Sequence, residues 1–249
     1  MLRSRIIACL LLQDGGLVKT SKFKPGKYVG DPINAVKIFN EKEVDELMLL
    51  DIDASVEGKL PDMKLLKSIA SESRMPLCYG GGVTDAQLAS EIITLGFEKI
   101  SVSSSALARP ALIREMSEAI GSQSVVLTLD VRRNKLGSGY TVFTHNGTVK
   151  VKRDILDICE QAEQLGAGEI VVNSIDRDGQ MEGYDIRLAT LVRSCVSVPI
   201  TMLGGAGHTS HMQELINAVG VVGAAAGSLF VFRGPHKAVL ISYARPERV

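Results

Sequence analysis

The sequence predicts a (β/α)8 barrel closed from two half-barrel repeats, and three observations carry that expectation. Its 249 residues match the length at which eight strand–helix units close around one core. Short, β-branched apolar runs alternate with longer helical patterns along the chain, as parallel strands covered by helices require. Segments of the first half also return in the second. Glu46-Leu-Met-Leu-Leu-Asp-Ile-Asp53 reappears as Glu169-Ile-Val-Val-Asn-Ser-Ile-Asp176, and Pro76-Leu-Cys-Tyr-Gly-Gly-Gly82 as Pro199-Ile-Thr-Met-Leu-Gly-Gly205, both 123 positions on. A repeat of half the chain length describes two units that each need the other to bury an apolar face, so residues 1–249 are expected to form one barrel domain.

The elements follow in order. Ile6-Ile-Ala-Cys-Leu-Leu11 lies behind Arg3 and Arg5 but is too short for a secretion signal and has no small-residue cleavage site after it, so a strand is expected near 5–12. Residues 13–30, with Asp14-Gly15-Gly16 and four lysines, form a long basic connection of the kind that is more often functional than idle. Asp31-Pro32 caps and opens a helix near 31–43. Strands near 46–52, 76–79 and 98–102 then alternate with helices near 62–73, 84–95 and 109–120, Thr84 being a candidate cap. In the second half, strands near 124–130, 169–174, 199–203 and 221–225 alternate with helices near 153–165, 185–195 and 208–218. Asp154 repeats Asp31 at the same offset, and Thr209 is a further candidate cap. After the eighth strand, Arg233-Gly-Pro235 interrupts the pattern, so the last helix is expected to be short or replaced.

Composition narrows the function. Basic and acidic residues balance at 28 each, which gives no reason to expect a nucleic acid or an anionic membrane as partner. With 4% aromatic residues and no Trp, base-stacking platforms are not expected either. Cys9, Cys78, Cys159 and Cys195 stand singly in apolar surroundings and read as reduced thiols of a cytoplasmic protein. His145, His208, His211 and His236 lack metal-ligand spacing, so neither a metal nor another cofactor is expected.

In such a barrel, catalytic groups project from the C-terminal ends of strands. Asp130 closes the fifth strand after four apolar residues, and Asp178 follows the sixth in Ser-Ile-Asp-Arg-Asp-Gly; both are candidate acid–base groups. Asp51, Asp53 and Asp176 lie at similar positions, where turns and caps equally use aspartate. The first apolar run aligns with Val125-Val-Leu-Thr-Leu-Asp130 at an offset of 119, which places Leu11 where the second half has Asp130. Glycine turns at Gly81-Gly82 and Gly204-Gly205 pair with Ser101, Ser104, Gly227 and Ser228 on the next strands. Small residues let backbone N–H groups approach an anion, so two opposed phosphate sites and a ligand phosphorylated at both ends are expected. Arg5, Glu46, Lys99 and Glu169 stand near strand starts, where four charges of mixed sign can pair across the barrel base.

Taken together, these residues resemble the cyclase subunit of imidazole glycerol phosphate synthase over residues 1–232. The matching motifs are Arg5-Ile-Ile-Ala-Cys-Leu10, Asp14-Gly15, Lys19, Leu50-Asp-Ile52, Gly80-Gly-Gly82, Lys99, Gly121-Ser-Gln-Ser124, Asp130, Gly166-Ala-Gly-Glu169, Ser174-Ile-Asp-Arg-Asp-Gly179 and Gly204-Gly-Ala-Gly207. The resemblance implies ammonia delivered by a glutaminase subunit at the N-terminal face, past a gate of Arg5, Glu46, Lys99 and Glu169, to chemistry at the C-terminal face. The implied acid–base pair falls on Asp130 and on position 11, which is Leu11 and cannot transfer a proton. Ser103 and Leu203 depart from the family pattern as well.

The stretch Lys27–Glu46, Cys78-Tyr-Gly-Gly-Gly82 and the ending Gly227-Ser-Leu-Phe-Val-Phe-Arg-Gly-Pro-His236 are similar to a divergent branch associated with acetamidino modification of surface-polysaccharide sugars. That similarity implies a conduit supplying ammonia to a separate ATP-dependent sugar amidotransferase. Two alternatives stay open: a working cyclase in which Asp178 or Lys19 substitutes for the missing acid, and a scaffold that only activates the glutaminase.

Overall fold

The computed structural model describes residues 3–137 and 139–246. Eight parallel strands close on themselves: β1 (Arg5–Gln13), β2 (Glu46–Asp51), β3 (Leu77–Gly80), β4 (Lys99–Val102), β5 (Val125–Arg133), β6 (Glu169–Ser174), β7 (Ile200–Leu203) and β8 (Gly223–Ala226). Closure is made by β8 pairing back onto β1, with Ile6 opposite Ala224. Seven helices cover the barrel: α1 (Pro32–Glu41), α2 (Met63–Glu72), α3 (Ala86–Thr94), α4 (Ala111–Ile120), α5 (Ile155–Gln164), α6 (Ile186–Arg193) and α7 (Thr209–Val219).

Alternation along each strand divides the core in two. One set of side chains meets the helices, among them Ile6, Ala8 and Leu10. The other fills the barrel axis, where Ile7, Cys9, Met48, Cys78, Val126 and Val171 pack with Leu203 and Ala225, and Leu11 and Leu50 lie at the edge. The axis is narrow at β8: a Cβ on Gly223 would lie 1.8 Å from Thr201 Oγ1, so only glycine fits there.

Side-chain caps hold six of the seven helices. Asp31, Asp62, Asp154 and Asp185 each accept a bond from a first-turn N–H. The two threonines expected to cap do not. Asp85 caps α3 through Leu88 N, and His208 caps α7 through Ser210 N, each the residue neighbouring the predicted one. The reason is register: Thr84 lies one residue before the cap position and Thr209 is already the first helical residue, and Thr84 Oγ1 lies 3.3 Å from Asp85 Oδ2.

The basic connection after β1 is an antiparallel hairpin, Gly16–Ser21 and Lys24–Gly30, built on the end of β1. The sequence reading did not find its counterpart: β5 extends in the same way into Tyr140–Thr144 and Val149–Lys150. After β8, a four-residue helix Ser228–Val231 leads into a small hairpin, Phe232–Arg233 with Ala238–Val239, where the eighth helix would begin. The segment that follows runs down the barrel wall. Tyr243 packs on Phe230 at 5.1 Å between ring centroids, donates its hydroxyl to Ile6 O at 2.8 Å, and is followed by an Arg245–Asp45 pair at 2.9 Å.

Candidate functional site

Arg5, Glu46, Lys99 and Glu169, contributed by β1, β2, β4 and β6, form a closed ring at the barrel base. Arg5 pairs with both carboxylates, at 2.7 Å to Glu169 and by a short bond to Glu46. Lys99 bridges the same two at 2.9 Å each, and Thr201 donates to Glu169 Oε1 at 2.5 Å. Burial alone would raise the Glu169 carboxyl, but Lys99 and Arg5 outweigh it and hold it below the usual glutamate range. Every charge in the ring therefore has opposite-sign neighbours, as partly desolvated ions require.

At the other end of the axis, a cavity of about 570 Å3 opens among the loops that follow the strands. Asp130 stands on its floor, receives a 3.0 Å bond from Asn173 Nδ2, and has its pKa pushed up to about 7 because burial penalises the carboxylate. The Asn173 bond acts in the opposite direction, while the nearby Asp178 adds to the rise. Asn173 Oδ1 is buried and has no partner.

Sheet register verifies the equivalence read from the repeat. Asp130 lies opposite Asn173 between β5 and β6, and Leu11 lies opposite Leu50 between β1 and β2. One half thus carries a hydrogen-bonded polar pair at the position where the other carries two leucines. The sequence reading missed Asn173, although the 123-residue offset from Leu50 leads to it.

Lys19, buried on the first hairpin, donates to Cys9 O at 2.6 Å, and burial lowers its pKa. Asp178 also lines the cavity, but its carboxylate is engaged: Oδ2 accepts from Thr20 Oγ1 at 2.8 Å and Phe23 N at 3.2 Å, tying the loop after β6 to the first hairpin. Asp53 and Asp176 make the same bond in each half, to Asp14 N and Arg133 N at the base of the respective hairpins. Asp51 accepts from the N–H groups of Asp53 and Ala54 and so orders the turn after β2.

Gly81 and Gly82 follow β3, and Gly204 and Gly205 follow β7, all with positive φ and all on the cavity wall. A Cβ on Gly81 would lie 2.6 Å from Asp51 O, and one on Gly205 2.1 Å from Gly183 O. Ser104 and Ser228 open short helices beside these turns, and Gly227 lies against Lys19 Nζ. Ser101 differs: its hydroxyl is buried in the axis and shares a 2.6 Å bond with Thr128. Among the described residues, no group of three or more His, Cys, Asp or Glu is placed to hold a metal ion. Among the same described residues, no helix is long and apolar enough to cross a membrane.

Comparison with known proteins gives one consistent result. A family model described as histidine biosynthesis protein matches residues 5–235. A Vibrio vulnificus protein provisionally named imidazole glycerol phosphate synthase subunit hisF3 is 54% identical over 247 residues, covering 99% of this chain and 95% of that one. A Pseudomonas aeruginosa protein provisionally named subunit hisF2 is 51% identical over 243 residues, covering 98% and 96%. Imidazole glycerol phosphate synthase subunit HisF of a Thermotoga species is 39% identical over 233 residues, covering 94% and 91%.

Proposed function

The chain belongs to the histidine biosynthesis family, among its HisF-type synthase subunits, and from that premise we propose that it conducts ammonia for a reaction other than imidazole ring closure. A glutaminase docks at the N-terminal face and releases ammonia against the Arg5–Glu46–Lys99–Glu169 ring. Ammonia crosses the ring, follows the axis past Cys78 and the Ser101–Thr128 hydroxyl pair, and leaves at the mouth. There an ATP-dependent amidotransferase uses it for acetamidino modification of a surface-polysaccharide sugar.

The observation that carries this reading is the asymmetry of the two halves. Closing the imidazole ring takes acid–base groups on two sides of the intermediate, and at the position equivalent to Asp130 and Asn173 the first half carries Leu11 and Leu50, neither of which can give or take a proton. Loss of one such group costs about 10²- to 10⁴-fold in rate. The base ring meanwhile keeps all four charges paired. The glycine turns of both halves support retained binding of a phosphorylated small molecule.

A second reading has one observation in its favour. Asp130, with its pKa near 7, and the buried Lys19 line the same cavity, so a cyclase with Lys19 or Asp178 as substitute acid is chemically coherent. Complementation separates the two. Expressed with its glutaminase in a histidine auxotroph lacking the cyclase, this chain is expected not to restore growth; growth at the rate given by an ordinary cyclase would overturn the conduit reading.

A further inference from the structure

Resting on the reading that ammonia leaves at the barrel mouth, we propose that the two hairpins there form the seat for an acidic face of the ammonia-consuming amidotransferase. The first support is charge. Residues 16–30 and 131–153 contain ten of the chain's 28 basic residues and none of its 28 acidic ones, which leaves 18 basic against 28 acidic elsewhere. A chain that is neutral overall thus concentrates positive charge on these two hairpins. Lys22, Lys24 and Lys27 on one hairpin and Arg133, Lys135 and Lys150 on the other are exposed.

The second support is continuity. The hairpins rise from β1 and β5, on opposite sides of the barrel, yet meet above the mouth. A Cβ on Gly147 would lie 3.2 Å from the Phe23 ring, and Asn146 Nδ2 reaches across to donate to Ile52 O at 2.8 Å in the loop after β2. The two basic segments and that loop therefore make one surface around the exit.

The third support is apolar exposure on the same surface. Leu136 is 92% exposed, Leu60 68%, Tyr28 66%, Val56 52% and Val149 49%, all on these three loops. Basic side chains alone would suit a polyanion such as nucleic acid, but a phosphate backbone does not desolvate aliphatic side chains. A protein face carrying carboxylates around an apolar centre covers both. A second copy of this chain using the same face would set like charges together, which disfavours a two-fold dimer here.

The test uses the complex of this chain with its glutaminase and the purified ATP-dependent amidotransferase. Binding is measured by interferometry at low and moderate salt, and product formation with either glutamine or ammonium chloride as nitrogen source. The expected result is salt-sensitive binding that weakens tenfold or more in Lys135→Glu/Lys150→Glu and in Leu136→Asp, with glutaminase assembly and thermal midpoint unchanged. Glutamine-driven product should fall with binding, and ammonium-driven product should not.

Variants that bind like the parent while glutamine-driven product persists would overturn the seat and leave the conduit standing. Absence of glutamine-driven product with the parent complex would overturn the conduit, and absence of binding would overturn the seat. Equal competition by RNA, or dimerisation through Leu136, would also count against an acidic protein partner.

Discussion

At position 130 the barrel keeps a carboxyl that its own repeat has lost at position 11, and the neighbours explain what each side chain can do. Asp130 is held by Asn173, while Leu11 faces Leu50. Leu11→Asp alone is expected to destabilise by about 1–3 kcal/mol, because a partly buried carboxylate gains no donor. Adding Leu50→Asn, which copies the Asp130–Asn173 pair, should recover part of that loss; urea unfolding of the two variants measures the coupling. Asp130 itself titrates near pH 7. Its folded pKa lies above the unfolded one, so its contribution to stability is fully present below about pH 4 and is lost as pH rises through about 7. Asp130→Asn should therefore stabilise the fold at pH 8 relative to pH 4, and Asn173→Leu should move the titration further up, as infrared bands of the carboxyl would record. Asp130 is legible in the sequence because a charged residue ends an apolar strand. Asn173 is not, because an asparagine before Ser-Ile-Asp reads as turn chemistry until the repeat is followed across from Leu50.

The strands and helices are legible almost throughout, because apolar periodicity marks them and Asp31 and Asp154 cap the helices they were expected to open, and the observed limits depart from expectation by a few residues. The hairpins on β1 and β5 are harder. Segment 131–153 mixes charges, glycines and short alternating stretches that carry no strong period of their own, and Tyr140–Thr144 becomes a strand only because β5 offers it an edge. What pins the first hairpin is equally non-local: Asp178, more than 150 residues away, holds Thr20 and Phe23. Asp178→Ala is expected to free residues 16–30 without unfolding the barrel, at a cost of about 1–3 kcal/mol for lost bonds to a charged acceptor. Trypsin should then cut after the exposed Lys22 or Lys27 several-fold faster, while the thermal midpoint moves by a few degrees. Unchanged cleavage would mean that the strand ladder alone holds the hairpin and that the Asp178 carboxylate is free for chemistry.

At the scale of the whole molecule, the barrel is polarised along its axis, with a closed ionic ring at one end, an apolar interior, and a mouth flanked by two basic, partly apolar hairpins at the other. The ring joins four strands from both halves, and its stability follows pH in a direction set by Glu169. That carboxyl is held below its ordinary value by Lys99 and Arg5, so its contribution is present above about pH 4.3 and lost as pH falls through the folded pKa. Glu169→Gln removes this term and leaves Lys99 and Arg5 sharing Glu46 alone. Breaking a buried pair costs about 3–5 kcal/mol, and the exposure of the Arg5 side chain places the expected loss at the lower end of that range. The loss should be largest near pH 7 and shrink as pH falls through the lowered folded pKa, where the parent glutamate takes up its proton, so urea midpoints of parent and variant should converge on acidification. A difference independent of pH would mean that Thr201 and packing, rather than the charge on Glu169, hold the base of the barrel closed.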